Sequence, residues 1–458
     1  MRQWPLLLIR WKLHGSNLCL GSKVRPSVQF VLCSVALFVA AIILAFGGQW
    51  SGLFLFVAVG LAFVALLDLI FLGLLGKVDF AREWPPRFAL NENAEVSYVL
   101  KNQGRLPLRL RFFDGLPEEC SYEGFPYEVP RLKGGGFIRT SYRVTFLKRG
   151  DLVVDPAYLE VRSLLGFWWR SRRVGDGEVA QVYPNYVPAL NYGLLATADR
   201  AELMGIVKSK NRGMSKEFHQ LREYQDGDTI SQVDWKATSR FNALITREYQ
   251  EERDQTILLV PDCSVRTRAI DGELPILDHL LNAAILLSNI AVGQGDKVGL
   301  MSFGGEPRYL PPVKGGQAMA QILDHLYNYQ PTRDYGDYAE LVARLMQTQT
   351  KRCLVVILTN LRTEDQFGSL GALELLSQKH LVMLASVRET AVERALAADL
   401  HSAKDADRYV GALAYEEDIE KLVSEARGRG FHAVHESLDI FPIALANQFL
   451  DLRSSGRF

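Results

Sequence analysis

Most of the marks of a known enzyme class are missing from this chain of 458 residues. It has no G-x-x-x-x-G-K-[ST] run, so it lacks a Walker-type phosphate cradle and the ATPase chemistry that goes with one. H-E-x-x-H and G-x-S-x-G are absent too, which removes the zinc-peptidase and nucleophile-elbow readings. Cysteine is scarce: Cys19, Cys33, Cys120, Cys263 and Cys353 are scattered, with no C-x-x-C pair and no histidine cluster at zinc spacing. An odd number of isolated thiols argues against a disulfide framework and for a reduced compartment. Net charge is lacking as well. With 52 basic and 52 acidic residues, the chain does not bind nucleic acid through a global positive field. Its 48% hydrophobic content excludes a mostly disordered chain, and its length calls for two or three folded units.

What is present is unevenly spread. Residues 28–46 and 53–75 are two apolar runs, each about long enough for a hydrocarbon core that needs roughly 20 residues. Only GGQWSG separates them, which forces an antiparallel hairpin with both outer flanks on one side. Arg2, Arg10, Lys12, Lys23 and Arg25 precede the first run, Lys77, Arg82 and Arg87 follow the second, and the short connection is uncharged. The positive-inside rule places both flanks, and with them the soluble part, in the cytoplasm. A basic n-region is present, but no A-x-A-like site precedes the connection, so a cleaved signal peptide is not expected. Asp68 inside the second run is costly in lipid. With two helices too few for a transport pathway, a structural role within the hairpin or toward Lys77 is expected.

The pattern then changes twice. Up to about residue 184 it alternates with period two, as in AEVSYVL, LPLRLRF and FIRTSYRVTF, with NQG, KGGG and RGD as turns. That spacing predicts an antiparallel, immunoglobulin-like β-sandwich. Phe167, Trp168 and Trp169 are expected in its core rather than on a partner surface. After a helical stretch and a basic linker, buried strands alternate with helices: ILLVPD, KVGLMSF, LVVILTN, LVMLASV and FHAVHES are strands. This predicts a doubly wound α/β domain. The expected organisation is a basic segment 1–27, a transmembrane hairpin 28–76, a β-sandwich 77–190, a linker and signature 191–255, and an α/β domain 256–458.

Residues 213–253 are dense in Arg, Glu, Asp, Tyr and Trp with little periodicity, which reads as a long, tied-down or functional loop. LREYQDGDTISQVDWKATSR followed by TREYQEERDQTILLVPD resembles the core of the bacterial family catalogued as domain of unknown function 58. Gln232 or Ser231 stands where that family usually has Arg, and Ser239 where it has Ala. The resemblance implies a von Willebrand type A-like C-terminal domain. It also implies partnership with a MoxR-type AAA+ ATPase in the assembly or activation of other proteins. With no nucleotide-binding or catalytic motif present, a membrane-anchored adaptor and not an enzyme is expected; the alternatives are a divalent-metal-dependent ligand-binding module or enzyme centred on Asp262 and a purely structural scaffold in envelope biogenesis. The candidate partner-binding residues are Arg222, Glu223, Tyr224, Gly227, Asp228, Asp234, Trp235, Lys236, Arg240, Arg247 and Glu248. Near-balanced charge also permits the alternative that they tie the loop down as ion pairs, with Trp235 and Tyr224 packed beneath.

Type A domains often hold a divalent cation, such as magnesium, through D-x-S-x-S, a Thr and an Asp. Asp262 and Ser264 match the first two positions, while Arg266 replaces the second Ser and Thr359-Asn360 stands where the Asp is expected. Asp334 and Asp337 lie in the loop that would replace the Thr. The alternative is a degenerate site with Arg266 paired to Asp262. A thiol–imidazole pair of Cys263 and His219 is a weaker scheme.

Overall fold

The computed structural model describes residues 23–45, 51–74, 78–125, 127–188, 216–224, 230, 233–241, 243–251, 255–363 and 369–455. The chain divides into two compact units, Met1–Val182 and Tyr183–Phe458. The boundary falls earlier than residue 190 because Tyr183 and Tyr186 pack against the core of the second unit.

Among the described residues the first unit contains helices α1 (Val28–Ala45) and α2 (Ser51–Leu74) and eleven strands. These are β1 (Lys23–Pro26), β2 (Val78–Glu83), β3 (Phe88–Ala89), β4 (Asn93–Asn102), β5 (Leu108–Gly115), β6 (Cys120–Glu123), β7 (Tyr127–Leu132), β8 (Phe137–Phe146), β9 (Gly150–Arg162), β10 (Trp168–Val174) and β11 (Glu178–Tyr183). One sheet runs β2-β4-β8-β6; the other runs β1-β10-β9-β11-β3, with β5 on β9 and β7 on β5. Strand alternation buries Val96, Tyr98 and Leu100 of β4, and the Tyr98 ring stacks on Phe112 of β5 at 4.1 Å, so the two sheets meet face to face. Between them lies a fully buried ion pair, Arg82 with Asp114, to which the Tyr142 hydroxyl donates at 2.5 Å. Residues 23–26, expected as part of a basic tail, instead form a strand antiparallel to β10.

Both helices are apolar around their full circumference, and Phe38, Phe56 and Phe63 are well exposed. The apolar window of α2, Leu55–Gly73, is 17% buried, whereas Ile276–Gly293, which passes the same length and composition test, is 67% buried and is a core helix. Two outward-facing apolar helices near the N-terminus are the feature that associates this chain with a membrane.

Asp68 of α2 is buried, and its partners are not in the hairpin. It accepts from the Ser163 hydroxyl at 2.6 Å, from the Leu165 N–H at 3.0 Å and from the Phe167 N–H at 3.2 Å. Trp168 Nε1 donates to the Ala65 carbonyl at 2.8 Å, and the Phe30 ring of α1 lies 5.1 Å from the Trp168 ring. The costly carboxylate is therefore an acceptor for the orphan N–H groups of the β9–β10 turn. Trp168 anchors the helices, and Trp169 lies beneath the guanidinium of Arg111, 4.5 Å from its ring centre, so neither is a plain core residue.

The second unit opens with an antiparallel ribbon, β12 (Lys216–Glu223) with β13 (Ile245–Glu251), carrying the short helix α3 (Trp235–Phe241). The signature is thus a structured module, not a loop; its period-two signal is short and broken by charge. Next come β14 (Thr256–Pro261), a small hairpin β15 (Ile270–Asp271) and β16 (Leu274–Pro275), α4 (Ile276–Gly293), β17 (Lys297–Met301), β18 (Tyr309–Val313), α5 (Ala318–Leu326) and α6 (Tyr338–Thr348). Then follow β19 (Leu354–Thr359), α7 (Ser369–Ser377), β20 (Leu381–Arg388), α8 (Thr390–Ala397), α9 (Ala403–Gly428), β21 (His432–Ser437) and α10 (Phe441–Ser454). The sheet order is β18-β17-β14-β19-β20-β21, parallel except for the edge strand β18. Ile257 and Leu259 of β14 face the core shared with α4, α5 and α10; Leu258 and Val260 face that of α6, α7 and α9. Continuous apolar strands are what a sheet covered on both faces requires.

Candidate functional site

After β14 the chain crosses to β17 on one side, and the later β19 takes the other side. The end of β14 is therefore the point where the winding reverses, the usual place for a crevice in an open α/β sheet. Asp262 stands there, adjoining Thr359 at the end of β19. Both are fully buried. One carboxylate oxygen accepts the Ser264 N–H at 2.8 Å; the other accepts the Thr359 hydroxyl at 2.5 Å. Burial pushes the Asp262 carboxyl above the usual carboxylate range, opposed by hydrogen bonds from Ser264 and Thr359 and by the charge of Arg266.

Arg266 stands beside this carboxylate, with its own side chain largely buried. Its Nη1 lies 4.0 Å from Asp262 Oδ2, 3.4 Å from Ser264 Oγ and 3.2 Å from the Gly336 carbonyl. The guanidinium also lies against the rings of Tyr338 and Phe303, at 5.4 and 5.9 Å. Gly336 is required by close approach: a Cβ there would fall 2.7 Å from Phe303 Cζ and 3.2 Å from Arg266 Nη1. Of the two loop aspartates, Asp337 caps α6, its carboxylate accepting the Ala339 N–H at 2.8 Å, whereas Asp334 is exposed and holds the loop through its backbone carbonyl, which accepts the Val265 N–H. A divalent cation needs six or more oxygen ligands. The residues as arranged do not fit one, because a guanidinium already stands beside the carboxylate and the Thr359 hydroxyl donates its proton to it.

The signature residues lie apart from this carboxylate in role. Asp234 is the N-cap of α3, its Oδ1 accepting the N–H groups of Lys236 and Ala237 at 3.0 and 3.1 Å. Its own N–H bonds the Ile245 carbonyl, which fixes α3 to β13. Arg240 sits in the last turn of α3, where its charge suits the helix dipole. Arg222 faces Thr246 in the ribbon register, and Arg247 and Glu248 face Leu221 and Gln220. Glu223, Lys236 and Arg240 are exposed and Tyr224 is half-buried; Gly227 and Asp228 lie outside the described residues. Trp235 does not pack beneath the module as the ion-pair reading expects. It is 64% exposed, because as the first residue of α3 it lies on the face opposite Ala237, which is buried. Ile230 at 71%, Leu244 at 48% and Leu221 at 42% are exposed apolar side chains of the same module.

The cysteine expectations resolve differently. The Cys263 thiol is buried, 3.8 Å from the Pro261 carbonyl. His219 belongs to β12, and its side chain lies outside the described residues. Among the described residues, a thiol–imidazole contact joins Cys353 Sγ to His380 Nδ1 at 3.3 Å. Burial pushes that thiol up to about 12 and the imidazole below its ordinary value, so the pair stays neutral, the opposite of an activated nucleophile. Sequence spacing gave no signal for it, since Cys353 and His380 meet only because β19 and the start of β20 are neighbours.

Comparison with known proteins adds context. The uncharacterized protein YeaD of Bacillus subtilis is 24% identical over 336 residues, covering 71% of this chain and 76% of that one. Among solved structures, an aerotolerance-related membrane protein of Bacteroides fragilis is 19% identical, over 29% of this chain and 67% of that one, with a TM-score of 0.23. Proximal thread matrix protein 1 of the mussel byssus is 10% identical over 44% and 48% of the two chains, with a TM-score of 0.29. Neither structural likeness is strong enough to bear on fold or activity. Residues 220–396, from the β12–β13 module into α8, match the model of the protein family of unknown function DUF58.

Proposed function

We propose that this chain is a membrane-anchored interaction protein whose signature module docks a MoxR-type AAA+ ATPase, or that machine's client, in the assembly or activation of other proteins. In this reading α1 and α2 span a bacterial inner membrane as a hairpin, with both soluble units cytoplasmic. The β unit is immunoglobulin-like and the α/β unit von Willebrand type A-like. The observation that carries the proposal is the exposure of Trp235 on a module that also exposes Ile230, Leu221 and Leu244, together with the charged Glu223, Lys236 and Arg240. A large aromatic ringed by polar groups is the make-up of a binding hot spot. The test is co-purification from detergent of the full chain with a MoxR-type ATPase from the same cell, with and without nucleotide. Trp235→Ala is expected to cut recovery at least tenfold while leaving the thermal transition in place. Equal recovery of wild type and variant, or no recovery of either, overturns the reading.

A second reading, a ligand site at Asp262 that a cation would enter only with Arg266 displaced from the carboxylate, is favoured by its place where the winding reverses. It predicts a saturable calorimetric signal with magnesium, calcium or manganese that Asp262→Ala abolishes. Silence with all three ions removes the cation version.

A further inference from the structure

We infer that the end of the β unit next to the hairpin is itself a lipid-binding surface, with the β9–β10 turn set into the boundary of the bilayer and a basic rim on anionic headgroups. The inference rests on the reading that α1 and α2 span a membrane.

Both helices fix the level of this turn. In α2, residues 53–67 rise only about 22 Å at 1.5 Å per residue, short of a hydrocarbon core of about 30 Å. The core must therefore extend past Asp68, and the turn bonded to Asp68 through Leu165 and Phe167 lies at or below its edge. In α1, Val28 opens the apolar run, and the residue before it, Ser27, donates its N–H to the Phe167 carbonyl at 2.7 Å. The Phe30 ring packs, tilted, against those of Phe167 and Trp168, with centroids 5.5 and 5.1 Å away. The direction is set by the strands. β1 runs toward the turn alongside β10 and leads straight into α1, so the turn points the way the helix goes. At its tip Leu164 and Leu165 are 47% and 57% exposed.

The neighbouring sheet ends at the same face. Three residues separate Leu74 from Val78, so β2 starts within about 15 Å of the end of α2. Val78 pairs with Asn102, and the buried Asn102 side chain ties the turn before Leu106 to the turn at Lys133 by donating to both carbonyls, at 2.8 and 3.2 Å. These turns expose Leu106 and Phe137, flanked by exposed Lys101, Arg105 and Lys133. Apolar tips within a ring of Lys and Arg are what an anionic bilayer surface binds.

The test uses the full chain with a photoreactive phenylalanine analogue at one position, reconstituted in vesicles of phosphatidylglycerol and phosphatidylethanolamine that carry a fluorescent phospholipid. Val59, 60% exposed on α2, reports the anchor; Val153, 67% exposed and about 30 Å back along β9 from Arg162, reports the far end. Illumination is expected to transfer lipid label to position 165 and to position 137, as to 59, and at least tenfold less to 153. Label at 59 with none at 165 or 137, or crosslinks there to protein in place of lipid, overturns the inference while leaving the anchor intact. No label at 59 removes the anchor, and the inference with it.

Discussion

Replacing Asp68 by Ala tests whether the helix and the β9–β10 turn are one structural piece. The carboxylate is the acceptor for two backbone N–H groups, of Leu165 and Phe167, and for the Ser163 hydroxyl. The hydroxyl can find another acceptor by rotating, but the two amides are fixed by the turn. Leaving a buried donor without a partner costs about 1–3 kcal/mol, so two stranded amides amount to roughly 2–6 kcal/mol. That energy is local, because β1 and the Trp168 anchor still hold the turn nearby. Hydrogen exchange of the full chain in nanodiscs should therefore show the 163–168 segment opening at least about thirtyfold more readily, with little change in β4 or β8. Asp68→Asn keeps one acceptor oxygen and should fall between the two. Unchanged exchange of that segment in Asp68→Ala would refute the reasoning. So would an equal acceleration across the whole unit.

Three further outcomes are expected. Asp114→Ala leaves the buried Arg82 guanidinium without its main partner and should destabilise the β unit by about 3–5 kcal/mol in denaturant titration, while Arg82→Met with Asp114→Leu should recover most of the loss. Gly336→Ala pushes a methyl group against Phe303 and Arg266 and should lower the stability of the α/β unit by about 1–3 kcal/mol, with a smaller loss in the background Arg266→Ala. Burial lowers the imidazole pKa of both His380 and His435, so between those depressed values and the ordinary 6.5 the unfolded chain binds more protons than the folded one. Stability should fall as pH drops through 6.5, by up to about 1.4 kcal/mol per pH unit for each group. Melting curves of His380→Gln with His435→Gln should be flatter over that range.

The elements were legible wherever one physical pattern dominated. The apolar runs, the alternation of FIRTSYRVTF and the unbroken LVVILT all state their environment directly: outward-facing apolar helices, a half-buried strand, a strand covered on both faces. Signals diluted by charge were not legible. KVRP is too short and too basic to read as a strand, yet it pairs with β10. The signature hides a ribbon because Arg, Glu and Gln occupy its strand positions. The Asp262 neighbourhood was half visible. D-x-S and the intruding Arg266 stand in the sequence, but the Thr359 hydroxyl and the Tyr338 ring reach the site only through strand order and loop closure.

Sequence by itself determined the apolar helices, the two kinds of unit and the family signature, because periodicity and motif are local properties of a chain. Tertiary structure decided the partnerships. It gave Asp68 to a turn about 95 residues away, set a guanidinium beside the buried Asp262 carboxylate, and left Trp235 in solvent on the face opposite Ala237. Which distant group satisfies a buried acceptor, and which apolar side chain stays uncovered, depends on how strands and helices come together, and no spacing along the chain encodes that.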